Sequence, residues 1–399
     1  MPDIITQGGE GKPSPWPRRV VAVVVLLVAI AVVARHLPRQ ARGHAVRRTA
    51  VASRPAPDAL PVIGAGGPPT GISGLIMPPR DGLRLPVAGA RPSWFSPATG
   101  ALVPIAGLPR DSNGYQFVRA AGGWAVLANP AGQACPSCAV RPTSAFFLPD
   151  GARSAAFVGA ADGVAPGAAA GSLWLVSYPP GADMSTASAS AQEVSDRGAP
   201  LGRPVTLPAD SVIVQGTVRG LLLAPALPRP GRVTDTLWTP AGSSGSRSFA
   251  GVIAASGSEI AWAPQCDPLC RVEVLDLASG RVVSIALPGA SSAANAAFSP
   301  DGRLLALEVS FYLSGDDGAL AMQLFVASAT SGRLTVVPQT YVSSDALVGF
   351  GWPTGRDSLV AELSFTTRVQ VTSWQPGAAR LAVADVSPAS VASSLLVVG

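Results

Sequence analysis

Two cysteine pairs carry the most recognisable chemistry in this chain. Cys135-Pro-Ser-Cys138 and Cys266-Asp-Pro-Leu-Cys270 space their thiols by two and three residues. Thiols that close in sequence suit local disulfides, each closing and stiffening one loop. Two alternatives stay open on residue type alone. Four thiolates could share one zinc ion if the two loops meet. The first pair could also exchange disulfides, which requires a thiolate stabilised at a helix N-terminus. Gly315-Asp316-Asp317-Gly318 pairs carboxylates on a glycine-rich turn, as a calcium loop or a solvated hairpin would. Tryptophans 94, 124, 174, 238, 262, 352 and 374 could stack a ligand or fill a core.

Histidine chemistry is nearly excluded. The chain has two, His36 and His44, both beside an apolar segment near the N-terminus. A Ser-His-Asp triad or a histidine metal site therefore has no material in the rest of the chain. There is no Gly-x-Ser-x-Gly elbow either. A carboxylate pair for glycoside chemistry remains open, because many acids are present and their separation is a tertiary property. No cofactor is expected from any motif.

Charge is unevenly placed. The chain has 399 residues and a formal net charge of +5. Nine of its 29 basic residues and two of its 24 acids lie in residues 1–54, a net of +7, which leaves −2 for the rest. The high pI thus belongs to the N-terminal tail, and the body lacks the basic footprint that nucleic acid requires. A 48% hydrophobic, 13% charged composition indicates a packed core.

Residues 1–19 form a short basic tail. Residues 20–34, Val20 to Ala34, are fifteen uninterrupted apolar residues between Arg18-Arg19 and Arg35. As a helix they span roughly 22 Å against about 30 Å of hydrocarbon, so arginine snorkelling and local thinning must cover the deficit. The expectation is one transmembrane helix; a cleaved signal segment and a buried core helix are the alternatives. The positive flanks disagree about orientation. The arginines after the segment place the body inside, whereas the short N-terminus and the expected disulfides place it outside. We expect a single-pass cell-membrane protein with its body extracytoplasmic. Residues 35–70, rich in proline and arginine, read as a stiff linker.

Residues 71–399 must build the frame that positions these groups. They lack helical periodicity and show short apolar runs broken by Asp-Gly, Ser-Gly, Thr-Gly and proline, the pattern of an all-β domain. The runs repeat. Phe298–Leu307 reads FSPDGRLLAL, with weaker copies in FLPDGARSAA and GWPTGRDSLV. These copies resemble the Ser-Pro-Asp-Gly repeats of TolB-like and WD-repeat-like β-propellers. The resemblance implies a β-propeller in which Pro-Asp-Gly turns join the inner strands and the Leu-Leu-Ala-Leu strand lies between blades. Trp-Asp and Gly-His pairs are absent, so it is to the propeller class.

Second strands are expected at Trp124–Ala128, Arg153–Gly159, Val218–Ala224, Glu259–Pro264, Arg303–Val309 and Asp357–Phe365. A hairpin at Trp94–Ile105, completed by Ser393–Val398, makes a seventh blade; six is the alternative count. Asp150-Gly151, Asp301-Gly302 and Thr354-Gly355 are read as tight turns between first and second strands. Longer links between second and third strands are expected at Asn129–Val140, Ala160–Ser172, Pro264–Arg271 and Ser310–Ala321. Ala182–Arg203 reads as a disordered flap. Function concentrates on variable loops held by a rigid scaffold. The expected partner surface is therefore the face of the long links, with Asp267, Asp316 and Asp317 as candidate contacts. A non-catalytic protein- or ligand-binding module is the primary reading. The alternative is an enzyme in the central funnel, a glycosidase or a quinone-dependent oxidoreductase.

Overall fold

In a computed structural model of the chain, the residues described are 82–88, 91–112, 114–129, 143–179, 187–226, 234–240, 246–264, 266, 269–312, 320–343, 346–353, 358–365 and 368–386. All lie in the second of the two units into which the chain divides, Asp58–Gly399. They form seven antiparallel sheets in chain order. Blade 1 contributes Leu85–Val87, Ser93–Phe95 and Leu102–Pro104; blade 2, Gly114–Ala120, Gly123–Asn129, Thr143–Pro149 and Ala156–Ala161. Blade 3 holds Gly163–Pro166, Ser172–Ser177, Ser190–Ser195 and Val205–Thr206; blade 4, Ser211–Thr217, Gly220–Pro225, Thr234–Trp238 and Arg247–Ala250. Blade 5 holds Val252–Ala255, Glu259–Trp262, Cys270–Asp276 and Val282–Leu287. Blade 6 is Ser292–Phe298, Leu304–Tyr312, Leu320–Ser328 and Leu334–Val336, with Val342–Ser343 pairing its third strand. Blade 7 is Leu347–Gly351, Leu359–Phe365, Arg368–Trp374 and Ala382–Asp385.

Each second strand is apolar on both faces, because alternate residues meet different neighbours. Leu305 and Leu307 pack toward blade 5 with Val272 and Ile285. Their neighbour Ala306 packs toward blade 7 with Leu359 and Ala361. Every pair of adjacent sheets shares one such buried cluster. Trp94 meets Trp124 between blades 1 and 2, and Leu127 meets Leu173 between 2 and 3. Val176 meets Leu221 between 3 and 4, and Leu222 meets Ile260 between 4 and 5. The circle closes where Leu85 and Phe95 of blade 1 pack on Val360 and Val371 of blade 7. Seven sheets with seven apolar seams make a closed seven-bladed β-propeller.

The repeat turn is self-supporting. The Ser299 hydroxyl donates to Asp301 Oδ1 at 2.6 Å and accepts the Leu304 N–H at 2.9 Å. The Gly302 N–H donates to the Ser299 carbonyl at 2.8 Å. Ser-Pro-Asp-Gly thus forms the first-to-second-strand turn that the repeat implied.

Several expectations are corrected. Arg153–Gly159 does not hold a second strand; Ala156–Ala161 is the outer strand of blade 2, and Ser172–Ser177 is the next second strand. Seven blades hold where six was the alternative. Asp150-Gly151 consequently joins third to fourth strands. Ala160–Ser172 is a blade-to-blade link plus a first-to-second-strand turn, with the inner strand Gly163–Pro166 inside it. Within Ala182–Arg203, Ser190–Ser195 pairs along Ser172–Ser177 as a regular third strand, so the flap reading fails there. Its Ala191 and Val194 are buried on opposite faces, against blade 4 and blade 2 respectively. The hairpin around residue 315 runs further than its sequence indicated, from Tyr312 paired with Leu320. The proposed transmembrane segment and Ser393–Val398 lie outside the described residues. No helix among the described residues is long and apolar enough to cross a membrane.

Candidate binding face and channel wall

Two ends of the propeller differ in construction. First-to-second and third-to-fourth turns share one end, and most are closed by local hydrogen bonds such as those of Asp276 with Ser279 and Ala278. At the other end lie the second-to-third links, residues 130–142, 178–189, 226–233, 263–269 and 313–319 in blades 2 to 6. Blade 7 departs from the pattern, with a link of residues 366–367. Among the described residues the two non-glycine residues with left-handed backbone, Asp210 (φ 57°) and Gln339 (φ 59°), both lie in blade-to-blade links at this loop end. Asp tolerates that region better than most residues; Gln does so at a cost that loop packing must support.

Of the cysteines, Cys266 and Cys270 form a disulfide across the blade 5 link, with Cα atoms 4.0 Å apart. Cys270 opens the third strand opposite Leu287, and both sulfurs' residues pack with Phe311 of blade 6. Leu269 within the ring is 70% exposed, and Tyr312, at the end of the blade 6 second strand, is 60% exposed. Cys135, Cys138, Asp267, Asp316 and Asp317 lie outside the described residues. Among the described residues no three His, Cys, Asp or Glu side chains converge as a metal site would require.

The channel wall is built from the innermost strands, and their composition bears on chemistry. Gly114–Ala120, Gly163–Pro166, Ser211–Thr217, Val252–Ala255, Ser292–Phe298 and Leu347–Gly351 contain no acid and one base, Arg119. Arg119 is already satisfied. It donates to both Asp150 oxygens at 2.6 and 2.9 Å and lies 5.3 Å from the Trp124 ring centre. Exposed positions on these strands are Gln116, Val212, Val214, Asn295 and Val348. Among the described residues the wall is therefore neutral, part aliphatic and part amide.

Tryptophans fill space. Trp94, Trp124, Trp352 and Trp374 are buried, and the other three are partly so. The Trp352 indole donates to Ala297 O of blade 6 at 2.9 Å, and that of Trp94 donates to Ala152 O at 2.7 Å. The four buried ones offer no free face for ligand stacking. A separate cleft of about 370 Å³ opens at the loop end of blade 4, lined by Asp210, Ser211, Pro225, Thr234, Thr236 and Trp238.

Two buried acids escaped the sequence reading. Glu308 and Glu362 occupy the same place in LALEVSF (Leu305–Phe311) and LVAELSF (Leu359–Phe365). They are 5% and 2% exposed. The signal was present as a lone glutamate inside an apolar strand in two successive repeats. Burial raises the Glu308 carboxyl above its ordinary value, opposed by the Asn295 amide that donates to it at 2.8 Å. Burial pushes Glu362 up to about 7. Both lie on second strands and, by alternation with Ala306 and Val360, face the next blade.

No family model matches the chain, and no curated protein matches it in sequence. Solved structures with similar folds include TolB from Acinetobacter baumannii, at 12% identity over 68% of this chain and 79% of that one, TM-score 0.39. A protein from Lactobacillus plantarum is 14% identical over 75% and 95% of the respective chains, TM-score 0.40. An acylaminoacyl peptidase is 11% identical over 76% of this chain and 50% of its own, TM-score 0.46. Such distant likeness carries no chemistry across. From its own seven sheets and seven seams, the chain is a seven-bladed β-propeller.

Proposed function

We propose that this protein is a non-catalytic binding module that recognises a protein or small-molecule partner with its loop end. The observation that carries the reading is the acid-free wall of the described innermost strands. A glycosidase needs two carboxylates roughly 5–10 Å apart at the reacting bond. The nearest buried acids, Glu308 and Glu362, face blade seams and sit one strand back from the channel. A neutral wall instead favours shape and hydrogen-bond recognition. In the same reading, residues 20–34 anchor the propeller to the cell membrane, with the propeller extracytoplasmic.

The test is crosslinking and capture from cells expressing the full chain, with Leu269→Asp and Tyr312→Asp as loop-end variants. Partners retained unchanged by the double variant would refute the loop end as the contact surface. Turnover of a glycoside that is lost in Glu308→Gln or Glu362→Gln would refute the non-catalytic reading. Thiol labelling of intact cells with and without reductant tests the address.

A further inference from the structure

The ring is not uniform around its circle. Among the described residues its buried glutamates lie at the two seams beside blade 7, while inner-strand bulges run through blades 4 to 7. Blades 2 and 3 offer apolar residues to the next blade, Leu127 and Val176. Blade 5 turns the half-buried Glu259 toward Gly302 of blade 6, and the Ser256 and Ser258 hydroxyls hold it. Blade 6 offers Glu308 and blade 7 offers Glu362. Beside each glutamate the inner strand is bulged. Ala293 pairs with Val309 and Ala296 with Leu307, so Ala294 and Asn295 bulge opposite Glu308. Leu347 pairs with Leu363 and Gly349 with Glu362, so Val348 is the extra residue. Bulges bend a strand and disrupt its ladder locally. Asn295 and Val348 are exposed on the wall while the glutamates behind them are buried.

Among the described residues no cation pairs with either carboxyl. Around Glu308, the inner and third strands of blade 6 and the inner strand of blade 7 carry no charged residue. Tyr341 flanks this seam as its titratable neighbour; Asp345 lies outside the described residues. Around Glu362, Arg368 begins the third strand of blade 7 and Asp385 ends the outer one, where it accepts from the Gln370 amide at 2.9 Å. Arg84 and Arg91 flank the facing strands of blade 1. Among the described residues neither glutamate makes an ion pair. A buried unpaired carboxylate is costly, whereas the neutral acid is tolerated.

We propose that Glu308 and Glu362 make the seams on either side of blade 7 a proton-responsive joint in the ring. With both acids neutral the seams are dry and closed. Ionisation draws water between the blades and loosens the inner-strand bulges at Asn295 and Val348, altering the wall of the channel. The linkage sign follows from folded-state values lying above unfolded ones. The stabilisation is fully present below about pH 4.5 and is lost as pH rises, for Glu362 through about 7. The joint is independent of what the loop end binds.

Trp352 is a built-in reporter, since its N–H bonds Ala297 across the seam between blades 6 and 7. The experiment follows tryptophan emission and thermal midpoint of the detergent-solubilised full chain from about pH 5 to about pH 8.5. Wild type should red-shift and lose several degrees of midpoint across neutrality. Glu308→Gln/Glu362→Gln should keep the low-pH emission and midpoint throughout. Trp352→Phe should remove most of the emission change and keep the midpoint change. A flat wild-type profile, or a double variant that titrates like wild type, overturns the proposal. So does failure of the double variant to fold at low pH, where an amide replaces a neutral acid of nearly the same shape.

Discussion

Blade 3 should respond very differently to one added methyl group than blade 5 does. Gly198 has φ 77° in the third-to-fourth-strand turn of blade 3, and a Cβ there would lie 2.6 Å from the Val158 carbonyl oxygen of blade 2. Gly280 has φ 74° in the corresponding turn of blade 5, with nothing within 4 Å of its Cβ position. Both alanine variants pay the left-handed penalty of about 1–2 kcal/mol, offset by about 0.4–1 kcal/mol from a stiffer unfolded chain. Gly280→Ala should therefore cost about 1 kcal/mol. Gly198→Ala adds an overlap with backbone that cannot swing aside, worth about 1–3 kcal/mol more. Its total is about 2–4 kcal/mol, and the excess reports the contact between blades 2 and 3. Urea unfolding of the two variants and wild type, compared at equal slope, measures it. Equal losses in both would mean that the blade 3 turn does not rest on blade 2, and the packing described there would be wrong.

Further outcomes follow from the same geometry. Leu307→Ala, fully buried between blades 5 and 6, should cost about 2–5 kcal/mol by denaturant melts. Arg119→Met strands the Asp150 carboxylate and should cost about 1–3 kcal/mol. Adding Asp150→Asn should recover part of that in a double-mutant cycle, and strict additivity would deny the pair any coupling. Replacing Cys266 and Cys270 together by alanine should cost about 2 kcal/mol or less, because the loop is short. Its larger effect should be faster proteolysis at Leu269, read by fragment mass; unchanged cleavage would show that the bridge does not stiffen the link.

How much of this was readable in advance varied by element. Blade 6 was legible because its turn, Ser299-Pro-Asp301-Gly302, is bonded by its own residues and its apolar strand follows directly. Blade 3 was not. Its inner strand Gly163–Pro166 is four residues long, and its third strand, SAQEVS, is paired by neighbours and not marked by propensity. β-structure of that kind exists through pairing and burial, so composition alone reads it as loop. At the site, the Cys266–Cys270 bridge was expected from spacing. The burial of Glu308 and Glu362 was not, because charge in a strand ordinarily marks a solvated face.

Local chemistry determined part of this protein by itself: an all-β repeat, its turns, a basic tail on a slightly acidic body, and the exclusion of histidine catalysis. These depend on residue type and short spacing, which a linear chain displays in full. Tertiary structure alone decided which runs became second strands, that seven seams close the ring, that the described innermost strands carry no acid to the channel, and that two glutamates are buried between blades. Each of these depends on which side chain meets which across a sheet or a seam, tens to hundreds of residues away, and burial there sets both the energy and the ionisation of the group.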